Sequence, residues 1–149
     1  MSTVTTIRRL DPEVAAEQIF TAHKHEGAWL DAFTECLDRR RARESFARTI
    51  EVWNLSQAET ARFFGVSRQA VSKWLRQGVP PERVGAVSDL AAATDLLVLH
   101  LKRDRIPAVV RRPIQALDGV TLIDLLAQGD TRTLLATCRD MFRFERAHA

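Results

Sequence analysis

Cysteine occurs only twice in these 149 residues, tyrosine is absent, and aromatic residues make up 7% of the chain. Two isolated cysteines offer at most one disulfide. Cys36 and Cys138 each stand in an apolar helical pattern, so the expectation is two buried thiols in a reducing cytoplasm, with a single disulfide as the lesser alternative. No apolar run approaches the roughly 18 residues of a membrane span. The opening stretch, Met1-Ser-Thr-Val-Thr-Thr-Ile-Arg-Arg, lacks the apolar segment of a signal peptide, and the expected location is cytoplasmic with no membrane partner. Alternation of apolar and polar residues over a strand length is also missing, and Asp118-Gly119 lies between helical patterns rather than strands. The fold class is therefore all-α. There is no glycine-rich phosphate loop, no Cys-x-x-Cys and no His-Glu-x-x-His. His23-Lys24-His25 beside Glu26 offers two ring nitrogens on a loop, which is not a metal site without further ligands. His100, inside an apolar helix, reads as a packing residue. No carboxylate pair has acid–base spacing. The chain is read as no enzyme, with no catalytic residues, no metal and no cofactor.

What the chain does have is an apolar fraction of 46%, enough for a core, and a mildly basic balance. Net charge is +3 and the pI is about 9.4, compatible with a polyanionic partner. Three parts follow: an N-terminal helical extension (1–38), a helix-turn-helix core (39–81) and a small C-terminal helical domain (82–149).

In the extension, Asp11 caps a helix with Pro12 in its first turn and Val14, Ala15, Ile19 and Ala22 along one face. A second helix starts near Gly27, with Trp29, Phe33, Cys36 and Leu37 in line. His23 to Glu26 is a short connection that suits a helical hairpin. Its apolar face needs a partner, either the core at 39–81 or a second subunit.

The stretch from Leu55 to Leu75 carries the most specific mechanism. Ser56 caps a helix and Glu59 closes a capping box. The pattern runs to Gly65, a residue that enters the left-handed region without steric cost. Val66 fills the angle between two helices and Ser67 caps the second. Ala70, Val71, Trp74 and Leu75 supply its buried stripe, which leaves Arg68, Gln69, Ser72, Lys73 and Arg76 outward. Each bears a hydrogen-bond donor, the equipment that major-groove reading needs. Gln57 opens the first helix, where its amide and the free backbone N–H groups suit a phosphate. Phe46, Ile50 and Trp53 are spaced for a supporting helix. The run Arg39-Arg40-Arg41-Ala42-Arg43 reads equally as a phosphate-contacting patch or as a solvated face beside Asp38 and Glu44. Gly78 and Val79-Pro80-Pro81 end the second helix.

Leu-Ser-Gln-Ala-Glu-Thr-Ala at 55–61 and Gly-Val-Ser-Arg-Gln-Ala-Val-Ser-Lys-Trp at 65–74 resemble the Xre-type, lambda-repressor-like DNA-binding domains. The resemblance implies base reading by Arg68, Gln69, Ser72 and Lys73 and a phosphate contact by Gln57; Ser67 and Arg76, at the start and on the outward face of the same helix, complete the candidate DNA-binding set. Further on, Val84 to Leu101 reads as a buried helix. Thr121 caps a brief helix that Gly129 ends, and Asp130 caps a last helix carrying Leu134, Leu135, Cys138, Met141 and Phe142. Within this part, Arg111-Arg112-Pro113, Leu117-Asp118-Gly119, Leu122-Ile123-Asp124-Leu125-Leu126 and Gly129 resemble the toxin-binding domain of the Xre/MbcA/ParS antitoxin family.

That second resemblance implies a dimeric antitoxin that binds double-stranded DNA at its own promoter and neutralises a RES-type, NAD-consuming toxin. Arg111, Arg112, Asp124, Phe142 and Phe144 are the partner contacts it suggests. Read from the residues alone, Asp124 is a helix-start carboxylate answering the dipole, and Arg111 and Arg112 are a solvated pair. The alternative function is a stand-alone transcriptional regulator or nucleoid-associated protein whose C-terminal domain self-associates. One recognition helix reads too few base pairs alone, so a homodimer or higher oligomer is expected under either reading.

Overall fold

The structure, a computed structural model, describes residues 10–147, with side chains as far as Arg143. It is all-α: among the described residues there is no strand, only an isolated antiparallel bridge between Ile114 and Val120. The chain divides into two compact units, Met1–Asp38 and Arg39–Ala149.

In the first unit, helix α1 spans Pro12–His23, and Asp11 caps it by accepting the Glu13 amide at 2.9 Å. After a three-residue connection comes α2, Gly27–Trp53. The His23 ring stacks on Trp29 at 3.5 Å and Trp29 on Phe33 at 5.2 Å. His23 also lies 3.0 Å from the Glu26 carboxylate.

The sequence suggests one helix from Gly27 and a separate supporting helix around Phe46 to Trp53; the structure joins them. Between Ala28 and Trp53 there is neither glycine nor proline, and the intervening arginines, alanines and glutamates are strong helix formers. Asn54 at φ +53° ends it, and the Leu55 amide bonds the Ile50 carbonyl at 3.0 Å, the closing geometry of a left-handed C-terminal cap. Cys36 corrects an expectation: it is exposed. Its apolar neighbours on the helix find no core in the first unit, where no described residue is buried. Cys138 is buried as expected, and burial pushes its thiol up to about 12.

In the second unit the C-terminal part of α2 lays Ala42, Phe46, Thr49 and Trp53 into a core. Helices α3 (Gln57–Phe64) and α4 (Arg68–Gln77) follow, then α5 (Pro81–His100). A 3-10 turn and α6 (Ile106–Val109) lead to α7 (Leu122–Ala127) and α8 (Thr131–Ala147). α5 packs along α8, and α7 packs against both α3 and α8. One hydrophobic cluster therefore runs from Phe46 and Trp74 through Leu90 and Leu97 to Leu122, Leu134 and Cys138. Its polar atoms are paired. The Trp53 indole N–H donates to Thr94 Oγ1 at 3.1 Å, and that hydroxyl donates to the Leu90 carbonyl at 2.7 Å. No described buried side-chain nitrogen or oxygen lacks a partner, as a tightly packed interior requires.

Candidate nucleic-acid interface

The approach of α3 to α4 is set by local chemistry. Ser56 and Glu59 form a reciprocal capping box: the Ser56 hydroxyl accepts the Glu59 amide at 3.1 Å, and Glu59 accepts the Ser56 amide at 2.9 Å. Those bonds, led by the Ser56 backbone N–H and assisted by Arg111, hold the Glu59 carboxyl below its usual range. Gly65 closes α3 at φ +65° and ψ +35°, a left-handed conformation that costs a side chain-bearing residue about 1–2 kcal/mol. The Ser67 hydroxyl then accepts the Ala70 amide at 3.0 Å and starts α4. Behind the pair, Phe46, Phe64 and Trp74 meet edge to face, with centroids 5.5 to 5.9 Å apart. The Arg83 guanidinium ties the corner by donating to the Phe64 carbonyl at 3.1 Å while lying over the Trp74 ring.

This frame places the sequence-derived residues as follows. Arg68, Gln69, Lys73 and Arg76 are exposed along α4, and Ser72 is half-buried between them. Ser67 is exposed, but its oxygen is already engaged in the cap; the hydroxyl hydrogen remains able to donate. Gln57 is exposed at the first position of α3. Val71 and Trp74, on the opposite side of α4, are buried.

Of the arginine run, two members act on α4 itself. Arg43 donates to the Arg76 carbonyl at 3.2 Å, at the C-terminal end of α4 where a cation opposes the partial negative charge. The Arg39 stem lies against Gly78, where a β-carbon would meet its Cγ at 2.4 Å and the backbone holds φ +110°. Arg39, Lys73, Gln77 and Gly78 line an open groove of about 360 Å³ beside α4. The positioning roles of Arg43 and Arg83 carry no sequence signal, because both partners are main-chain carbonyls distant in the chain.

The five partner-contact candidates are dispersed. Arg111 donates to the carbonyls of Pro107 at 2.9 Å, Trp53 at 3.1 Å and Asn54 at 3.3 Å, and lies 3.6 Å from the Glu59 carboxylate. It thus ties the end of α2 to the start of α3. Arg112 is exposed. Asp124 forms a capping box with Thr121, its carboxylate accepting the Thr121 amide at 2.9 Å; that bond first, then the Thr121 hydroxyl, lowers its pKa. Phe142 is buried and stacks on His100 with centroids 4.4 Å apart, which gives His100 a packing contact. The Phe144 side chain lies outside the described residues.

Among the described residues no group of three or more His, Cys, Asp or Glu side chains is placed to hold a metal ion. No described helix is long and apolar enough to cross a membrane.

No family model matches the chain, and no curated protein matches it. Among solved structures, this chain is similar to one in the crystal structure of the M. tuberculosis MbcT-MbcA toxin-antitoxin complex, at 25% identity and a TM-score of 0.55. The match covers 66% of this chain and 91% of that one. The chain thus has the fold of a component of a toxin–antitoxin complex.

Proposed function

We propose that this protein is a DNA-binding antitoxin: a homodimer that reads double-stranded DNA through α4, represses its own operon, and neutralises a RES-type, NAD-consuming toxin through its C-terminal domain, residues 82–149. The observation that carries the reading is the outer face of α4. Arg68, Gln69, Lys73 and Arg76 stand exposed on a helix whose reverse side is anchored by Val71 and Trp74. Arginine can take guanine and glutamine can take adenine in two-bond contacts. The likeness to a chain of a toxin–antitoxin complex supports the second half. Arg111, Arg112 and Asp124 are the exposed members of the partner-contact set; Arg111 and Asp124 also brace the backbone through hydrogen bonds, and Phe142 is buried against His100.

Two experiments test the two halves. Tagged protein recovered from its native host after DNase treatment is expected to carry one stoichiometric small protein. Recovery alone, or with DNA only, would remove the toxin partner and leave a regulator. In a binding assay on the promoter, Arg68→Ala is expected to weaken specific binding by about 1–3 kcal/mol and to relax one base preference. Unchanged specific binding would mean that α4 is not read from this face.

A further inference from the structure

Residues 12–38 are locally ordered yet build no core. The ring stack of His23, Trp29 and Phe33 and the His23–Glu26 contact fix the turn. No residue of α1 is buried, nor any of residues 27–38 of α2. Short helices without a buried face are marginal in water. Of the five large hydrophobic side chains that are exposed among the described residues, four belong to this unit: Val14, Phe20, Trp29 and Leu37.

On α2 the apolar residues form a stripe. Trp29, Ala32, Phe33, Cys36 and Leu37 recur at the i, i+3, i+4, i+7, i+8 spacing that lines one side of a helix. Trp29 keeps 40% of its surface in solvent and Leu37 47%. Asp31, Glu35 and Asp38 fall at the remaining positions, about half a turn away. The stripe itself carries no charge.

We infer that this stripe is the seam along which two copies of the chain pair, α2 against α2. The inference rests on the DNA-binding reading for one of its arguments: half-site recognition requires a two-fold partner, and a two-fold contact uses the same patch on both copies. Charge and exposed area support it as well. Residues 11–38 hold seven carboxylates against a single lysine, so phosphate repels this unit and DNA is not what covers it. Two copies, by contrast, meet along an uncharged strip with their acidic sides turned outward. A specific contact needs roughly 500 Å² from each copy. The free parts of Trp29 and Leu37, with exposed Ala32 and Cys36 and partly exposed Phe33 between them, supply the apolar centre of such an area, and the flanking stems supply its rim.

The test uses the full chain without DNA, its mass in solution read by sedimentation equilibrium. The wild type is expected to be a dimer at micromolar concentration, and Trp29→Glu and Leu37→Glu monomers; both sites are solvent-accessible, so neither change burdens the core of the second unit. Screening of the acidic sides by salt should strengthen pairing, while DNA affinity falls as salt rises. Cys36 is a built-in reporter: mild copper–phenanthroline oxidation should give a covalent dimer that Cys36→Ser abolishes, with buried Cys138 silent. A monomeric wild type, or dimers in both glutamate variants, overturns the seam. The DNA-binding reading fails separately, if the wild-type dimer binds no promoter DNA while the variants still dissociate it.

Discussion

Phe46→Ala is expected to cost about 3–5 kcal/mol, the range for removing a large buried aromatic side chain. Phe46 is 1% exposed and touches the rings of both Phe64 and Trp74 edge to face. Those rings come from α3 and α4, so the cavity opens directly beneath the two helices of the motif. Total stability of a domain this size is about 5–15 kcal/mol. The loss should therefore lower the thermal midpoint by more than about 10 °C, measured by circular dichroism. Phe46→Leu, which fills most of the space, is expected to cost less than half as much. If Phe46→Ala shifted the midpoint by under about 2 °C, the aromatic cluster would not be what supports the motif.

Arg111 carries the second large effect. Its guanidinium serves three carbonyls and a carboxylate at once, and two of those carbonyls belong to the terminus of α2. Hydrogen bonds from a charged donor contribute about 1.5–3 kcal/mol each in favourable cases. The side chain is 38% exposed, which lets water replace part of the set. A total of about 2–3 kcal/mol is expected for Arg111→Met, read as a change in the urea midpoint at constant slope. Arg111→Lys should be nearly as damaging, because a single ammonium cannot span acceptors that a planar fork reaches together. Full stability in the lysine variant would show that charge alone, without the fork, suffices.

The helices α3 and α4 and the turn between them were legible because each boundary is made by a local rule. Ser56 with Glu59, Gly65, Ser67 and Gly78 all act within four residues of the backbone groups they serve. The exposed set on α4 followed from the same periodicity that buries Val71 and Trp74. Thr121 with Asp124 was legible for the same reason: a cap at Thr121 was foreseen, and the structure adds the reciprocal bond. What stayed hidden was long-range. Nothing near Arg111 in the chain announces that Trp53 and Asn54 lie beside it, and nothing near Trp53 announces Thr94. Continuity of α2 was missed because its apolar residues change position around the helix, so no single period spans all 27 residues. Cys36 was misplaced by the same reasoning: an apolar neighbourhood on a helix says which side is apolar, not whether anything covers it.

The pairing of Trp53 with Thr94 bears on how such a protein can be altered. Trp53 precedes the motif, and its indole N–H is satisfied only by a residue on α5, beyond Pro81. Glu59 inside the motif similarly leans on Arg111. A segment cut at Pro81 would carry α4 with its foundation removed, leaving a wide indole without a hydrogen-bond acceptor and the inner sides of α3 bare. The pair α3–α4 is thus not a portable cassette. Under the proposed DNA-binding function, a new base preference is better sought by exchanging the few outward residues of α4 in place than by transplanting the pair between relatives.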